Sequence, residues 1–304
     1  MRVVVLGGTG FIGRPLCSAL SGLGHEVVVP SRSPDKVERT FAGAVRSAPF
    51  DGRSAAALAA LLDCEAALVN LVGENIAEGR WTPEKKRAIL DSRLFAGQAV
   101  VEAVRKAGLR PAVLVQGSAV GYYGPCGEEE VAEDHPAGTG FLAEVAARWE
   151  ASTKPVEELG VRRAVARTAM VLGPGGALAR MLPAFRAGLG GPLGNGRQYT
   201  PFIHLKDEVA ALTWLVENTA ASGPYNLAAP HPVTNRAFAE ELGRVLHRPA
   251  VLPAPALALK LLFGEMAREV LLSGQRAVPA RLLAQGFVFS FPTLGPALRD
   301  AVAA

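Results

Sequence analysis

Apolar positions in the first half of the chain fall in short continuous runs rather than in alternation. Residues 1–6 (MRVVVL) form one such run, rich in β-branched side chains, the pattern of a strand buried on both faces. Glycines follow, and from residue 14 to 23 apolar residues recur at helical spacing until Gly24 ends the segment. Residues 25–29 (HEVVV) read as a second strand, and 66–71 (AALVNL), 112–116 (AVLVQ) and 164–167 (AVAR) as further buried strands. Helical patterns fill 54–62, 83–107 and 141–159 between them. Strands alternating with helices predict an α/β fold, a Rossmann-type doubly wound parallel sheet. From about residue 173 the pattern changes. Gly and Pro crowd residues 173–196, and helical segments dominate from 235 onward. The division expected is a dinucleotide-binding Rossmann domain over 1–170, with 202–230 returning to it, and a small, mainly helical C-terminal substrate region over 171–304.

Composition narrows the function classes. The 304 residues are 49% hydrophobic and 20% charged, a balance that excludes wholesale disorder. No apolar run approaches the roughly 18 residues of a membrane span. The first apolar run passes straight into glycines, unlike a secretion signal. The three cysteines, Cys17, Cys64 and Cys126, suit neither a disulfide framework nor a zinc motif, and the histidines lack metal-ligand spacing. A soluble cytoplasmic protein without a metal or a membrane is expected. The net charge of +4 comes from 32 scattered basic residues whose longest run is Lys85-Lys86-Arg87. Nucleic-acid binders concentrate charge on one face, so the expected partner is a small molecule; the oligomeric state, monomer or homodimer, stays open.

The strongest motif is Gly7-Gly8-Thr9-Gly10-Phe11-Ile12-Gly13. It follows a hydrophobic strand and opens a helix, the context that makes a glycine pattern a dinucleotide site. Gly7 permits the tight turn, Gly10 lets a pyrophosphate approach the backbone, and Gly13 allows helix and strand to pack closely. Thr9, Phe11 and Ile12 complete the loop, and the helix end offers free N–H groups to phosphate. The spacing G-x-x-G-x-x-G departs from the G-x-G-x-x-G of many dehydrogenases. At the end of the second strand stand Ser31 and Arg32, with no acid before Asp35. An NAD site places a carboxylate near there for the ribose hydroxyl, whereas an arginine pairs with a 2′-phosphate. The expected cofactor is therefore NADP.

Many segments together carry a family resemblance: residues 7–13, NLVGENI (70–76), Arg80-Trp81, Ser92-Arg93, SAVGYYG (118–124), Trp149-Glu150 and RTAMVLGPGG (167–176). Others are GLGGPLGNG (188–196), FIHLKD (202–207), GPYNLAAP (223–230) and GFVFSFP (286–292). Through almost its whole length the chain resembles an epimerase-like family of atypical, extended short-chain dehydrogenase/reductases. The resemblance implies further cofactor contacts. Asp51 corresponds to an acid at the adenine ring, or else starts a turn. Leu71, Val72 and Gly73 pass beside the adenosine ribose, Arg93 contacts NADP or stays on the surface, and Val171 lies near the nicotinamide.

The family's usual chemistry needs Tyr-x-x-x-Lys with a nearby Ser or Thr, the lysine making the tyrosine a better proton carrier. That pair is absent. Four residues beyond Tyr122, Tyr123, Tyr199 and Tyr225 stand Cys126, Gly127, Ile203 and Ala229. The helix expected to carry the pair has Phe141 and Leu142, then Val145 and Ala146, in its place. Three catalytic candidates remain: Ser118 at the fifth strand's end as a hydrogen-bond donor to substrate, Tyr122 as a substitute acid, and Glu74 beyond the fourth strand. Each has a plain alternative, as a pocket wall or a loop-ordering group. The function expected is an NADP-dependent oxidoreductase or epimerase on a small polar, sugar-related substrate. The competing class is a non-catalytic NADP(H)-binding redox sensor or scaffold, linked to cell division.

Overall fold

The computed structural model describes residues 1–303. Its main sheet has seven strands: β1 (Arg2–Leu6), β2 (Glu26–Ser31), β3 (Arg46–Pro49), β4 (Ala67–Asn70), β5 (Val113–Ala119), β6 (Arg162–Thr168) and β7 (Gly223–Leu227). They lie in the order β7-β6-β5-β4-β1-β2-β3, and every neighbouring pair is parallel. This is the doubly wound sheet that the strand-helix alternation predicts. The helices are α1 (Gly13–Gly22), α2 (Pro34–Phe41), α3 (Ala55–Ala59), α4 (Pro83–Ala107), α5 (Phe141–Ser152), α6 (Gly176–Arg186), α7 (Leu205–Glu217), α8 (Asn235–Leu246), α9 (Ala256–Phe263), α10 (Ala280–Ala284) and α11 (Leu294–Ala303).

The continuous apolar runs follow from burial on both faces. In β1, Val3 and Val5 join a core that includes Leu16, Leu20, Leu212 and Leu215 of α1 and α7. Val4 and Leu6 point the other way, into a core with Leu58 of α3 and Val100 and Val104 of α4. A third core joins Leu178, Phe238 and Leu298 of α6, α8 and α11 to Leu172 and Phe202. The last two belong to a separate parallel ladder of Met170–Leu172 with Phe202–His204. In the first turn of α7, Asp207 accepts the N–H groups of Ser290 (2.8 Å) and Phe291 (2.9 Å), tying the C-terminal segment to this layer.

Helix α4 has the expected bounds because both ends carry signals. Thr82 Oγ1 accepts the Lys85 N–H at 3.2 Å, and Gly108 takes a left-handed φ of 63°. Two helices are shorter than their patterns. α5 stops at Ser152 instead of reaching 159, and a short 3₁₀ turn follows at Lys154–Val156. Pro155 has no N–H for the ladder and its ring would crowd the preceding turn. α3 covers only Ala55–Ala59 of the expected 54–62, since Leu61 and Leu62 bond three residues back, to Leu58 and Ala59. Among the described residues no helix is long and apolar enough to cross a membrane.

Candidate functional site

Because all seven strands are parallel, their carboxyl ends open on one edge of the sheet. The chain leaves β1 and β4 in opposite directions there, which creates a crevice between them. The glycine loop fills the β1 side. Gly7 has a φ of 83°, and its carbonyl accepts the Gly10 N–H at 2.9 Å. A Cβ on Gly13 would lie 2.2 Å from that carbonyl oxygen and 2.8 Å from Gly8 Cα, so only glycine lets α1 start this close to the strand. Gly8, to which the motif reading gave no role, is also closely packed: a Cβ there would sit 2.5 Å from the Val29 side chain. A Cβ on Gly7 would meet the Leu71 carbonyl at 3.1 Å, so the loop faces the end of β4 directly. Gly10 is the exposed member, while Thr9 and Ile12 are half-buried. No side chain caps α1 and no acid stands in its first turn, which leaves the N–H groups and the positive end of the dipole to a ligand. Phe11 turns the other way. Its ring packs where Cβ atoms on Gly173, Gly175 and Gly176 would be, at 2.9 to 3.2 Å.

At the end of β2, Arg32 is exposed and Ser31 Oγ accepts the Ser33 N–H at 3.0 Å. Asp51, past β3, accepts the N–H groups of Arg53 (2.8 Å) and Ser54 (2.7 Å), which hold its carboxyl below the usual range. It therefore starts a turn, the plainer of its two expectations. Leu71 donates to the Leu6 carbonyl at 3.0 Å, and Val72 to Asn70 Oδ1 at 3.3 Å. Gly73 is pressed against Arg93: a Cβ would stand 2.8 Å from the guanidinium carbon. Arg93 is half-buried. It bonds only backbone carbonyls, of Ile89 (2.8 Å) and Glu74 (3.2 Å), over the Trp149 ring, and burial pulls it down to about 10. Val171 lies in the short ladder opposite Ile203, in the same buried cluster against which Phe11, Ile12 and Leu71 pack.

The catalytic candidates have different bonding partners. Glu74 Oε1 lies 2.6 Å from Lys85 Nζ, and its N–H donates to Ser92 Oγ at 2.9 Å. Ser118, expected as a donor to substrate, instead donates to Glu150 Oε1 at 2.6 Å. The physical reason is a buried ion pair beneath it. Arg167 of β6 holds both Glu150 oxygens, at 2.9 and 3.0 Å, so the carboxylate is fixed where the serine reaches it. Arg167 also donates to Tyr123 Oη at 3.0 Å, and Tyr123 donates to Asn226 Oδ1 at 2.7 Å. Burial pushes the Tyr123 hydroxyl up to about 12, so it keeps its proton. Tyr122 lies face-on to the same guanidinium, 3.6 Å from ring centroid to carbon. Glu150 and Arg167 stand in segments that carry the family resemblance but had no role from sequence, although a charge inside each of two apolar segments was the available signal.

Where the family's tyrosine would stand, Phe141 meets Trp81 edge-on at 5.2 Å and the Lys86 ammonium at 4.3 Å from its centroid. Glu269 accepts the Leu142 N–H at 3.2 Å. Among the described residues no group of three His, Cys, Asp or Glu side chains is placed to hold a metal.

The model of the NAD dependent epimerase/dehydratase family matches residues 3–228, three quarters of the chain and all seven strands. The chain belongs to that family. A domain of unknown function, DUF1731, matches residues 254–301. An epimerase family protein of Mycobacterium tuberculosis is 43% identical over 298 residues, covering 97% of this chain and 96% of its own length. Human epimerase family protein SDR39U1 is 39% identical over 307 residues, covering both chains fully. The crystal structure of human SDR39U1 (isoform 2) with NADPH superposes with a TM-score of 0.88 at 38% identity, covering 100% of this chain and 99% of that one. A UDP-glucose 4-epimerase of Thermus thermophilus, solved with NAD, shares the fold at 20% identity, with a TM-score of 0.80 over 100% and 98% of the two chains.

Proposed function

We propose that the protein binds NADP(H) along the crevice between β1 and β4 and acts as an oxidoreductase or epimerase on a small polar substrate. The glycine loop carries this reading: Gly8 and Gly13 leave no room for a side chain and Gly7 holds a left-handed φ of 83°, while Gly10 stays exposed where a phosphate can approach. The NADPH in the human relative's structure supports the same cofactor here. In this reading the N–H groups at the start of α1, with Thr9, hold the pyrophosphate. Arg32 and Ser31 hold the 2′-phosphate, and the backbone from Leu71 to Gly73 lines the adenosine ribose. Asp51 borders the adenine through its turn, Arg93 supports the Gly73 backbone from beneath, and Val171 borders the nicotinamide. When bound, the dinucleotide supplies hydride transfer.

The chain's own part is to position and to move protons. Tyr122 presents its hydroxyl from a ring held against Arg167, and Glu74 brings a carboxylate paired with Lys85. Ser118, bonded to Glu150, has only oxygen lone pairs left for a substrate hydroxyl. The test is NADPH oxidation by pure protein across sugars, aldehydes and ketones, with Tyr122→Phe and Glu74→Gln beside the parent. Turnover that falls at least tenfold in one variant identifies the proton carrier. The missing Tyr-x-x-x-Lys pair and the committed Ser118 favour a second reading, an NADP(H)-binding sensor or scaffold. Tight NADPH binding with no oxidation across the panel decides for it.

A further inference from the structure

The C-terminal region holds a cavity of about 300 Å³ between α9 and the loop that precedes residue 199. Ala256 and Lys260, one turn apart on α9, line it together with Arg268, Asn195 and Gln198. The acids nearest Arg268 in sequence are engaged elsewhere. Glu265 pairs with Lys86 at 2.9 Å, and Glu269 accepts the Leu142 N–H. Among the described residues neither Lys260 nor Arg268 forms an ion pair, so two cations face the same cavity without a counter-charge. The neutral lining is fixed. Gln198 donates its amide to the carbonyls of Leu193 (3.0 Å) and Leu271 (2.8 Å), and the Arg197 N–H occupies Asn195 Oδ1 at 3.0 Å, which leaves the Asn195 amide nitrogen as a further donor.

The rim is apolar. Leu257 and Leu261 each follow a cavity-lining residue by one position, so they form the adjoining row of α9, and they are 71% and 68% exposed. Leu262 beside them is 63% exposed, on a helix of eight residues whose one charged side chain is Lys260. Clustered, exposed leucines next to unpaired cations are the complement of a molecule with an anionic head and an apolar body. We propose that this cavity binds the carboxylate or phosphate head of a small amphiphile, with its chain laid along Leu257 and Leu261. No residue of the glycine loop lines the cavity, and its occupation does not depend on the cofactor reading.

Calorimetry on the full chain, with and without NADPH, tests it using decanoate, decyl phosphate, acetate and inorganic phosphate. One of the ten-carbon anions is expected to bind at least tenfold tighter than its short counterpart, and which one does so names the head group. Lys260→Ala combined with Arg268→Ala is expected to weaken that binding at least tenfold and leave NADPH affinity unchanged. Leu257→Ser with Leu261→Ser is expected to bring the long anion down to the affinity of the short one. All four side chains are exposed, so the variants keep their fold. Long anions that bind no tighter than short ones, or variants that bind like the parent, overturn the proposal. NADPH affinity, read in the same titrations, tests the cofactor site separately.

Discussion

Ser118 at the end of β5 donates its hydroxyl hydrogen to Glu150 on α5, a residue 32 positions further along the chain, at 2.6 Å. Arg167 grips the same carboxylate through two nitrogens, and the side chains of the pair are only 5% and 12% exposed. Strand end, helix and neighbouring strand are thus pinned at one buried charge pair. Glu150→Ala would leave the Arg167 cation buried without its partner, which costs about 3–5 kcal/mol. Ser118→Ala removes one hydrogen bond and costs about 1 kcal/mol. Urea unfolding of the two variants is expected to show that order, and equal midpoints would mean the pair does not brace the sheet.

Gly10 and Gly13 are expected to separate binding from folding. A Cβ on Gly10 meets only the Gly7 carbonyl oxygen, at 3.1 Å, while one on Gly13 overlaps three backbone atoms. Gly10→Val should melt near the parent temperature and lose NADPH, because its side chain stands where a phosphate must approach. Gly13→Ala should itself be destabilised, by about 1–3 kcal/mol or more, since backbone rather than side chain must give way. Native NADPH affinity in Gly10→Val would remove the loop from the cofactor site.

Arg32 is exposed at the end of β2 with no carboxylate before Asp35. NADPH is expected to bind at least tenfold tighter than NADH, about 1.4 kcal/mol, and Arg32→Ala to erase most of the difference. Equal affinities in the unmodified protein would end the assignment of the 2′-phosphate to this residue.

Glu208 on α7 receives the Thr168 hydroxyl at 2.8 Å, and its other oxygen is buried without a partner. Burial pushes this carboxyl from 4.5 up to about 8. Between those values the native chain holds a proton that the unfolded chain has released, so stability falls as pH rises through that window and levels off above it. Glu208→Gln removes the titration. Its melting temperature relative to the parent is expected to climb from pH 5 to pH 8. A flat difference would mean that the carboxyl ionises as if in water.

The strands were legible because a sheet buried on both faces requires runs such as Val3-Val4-Val5, and α4 because Thr82 and Gly108 mark its ends locally. Helix α5 was overextended because apolar spacing persists past Ser152, where Pro155 alone interrupts the ladder. The glycine loop could be read from seven consecutive residues. The surroundings of Ser118 could not, since its partners come from α5 and β6 and only the fold brings them within reach. Arg93 was open to two readings for the same reason. Its burial depends on Trp149 and Gly73, distant in sequence on either side.

The ring of Phe11 joins two parts of the molecule that the chain keeps at least 162 positions apart. It leaves the glycine loop and enters a slot that exists only because positions 173, 175 and 176 are glycines. Those glycines lead directly into α6, the first helix of the C-terminal layer. The glycine loop therefore behaves as one arm of a lever whose other arm is the start of α6. A displacement of the loop must either carry that helix with it or pull the ring out of its slot.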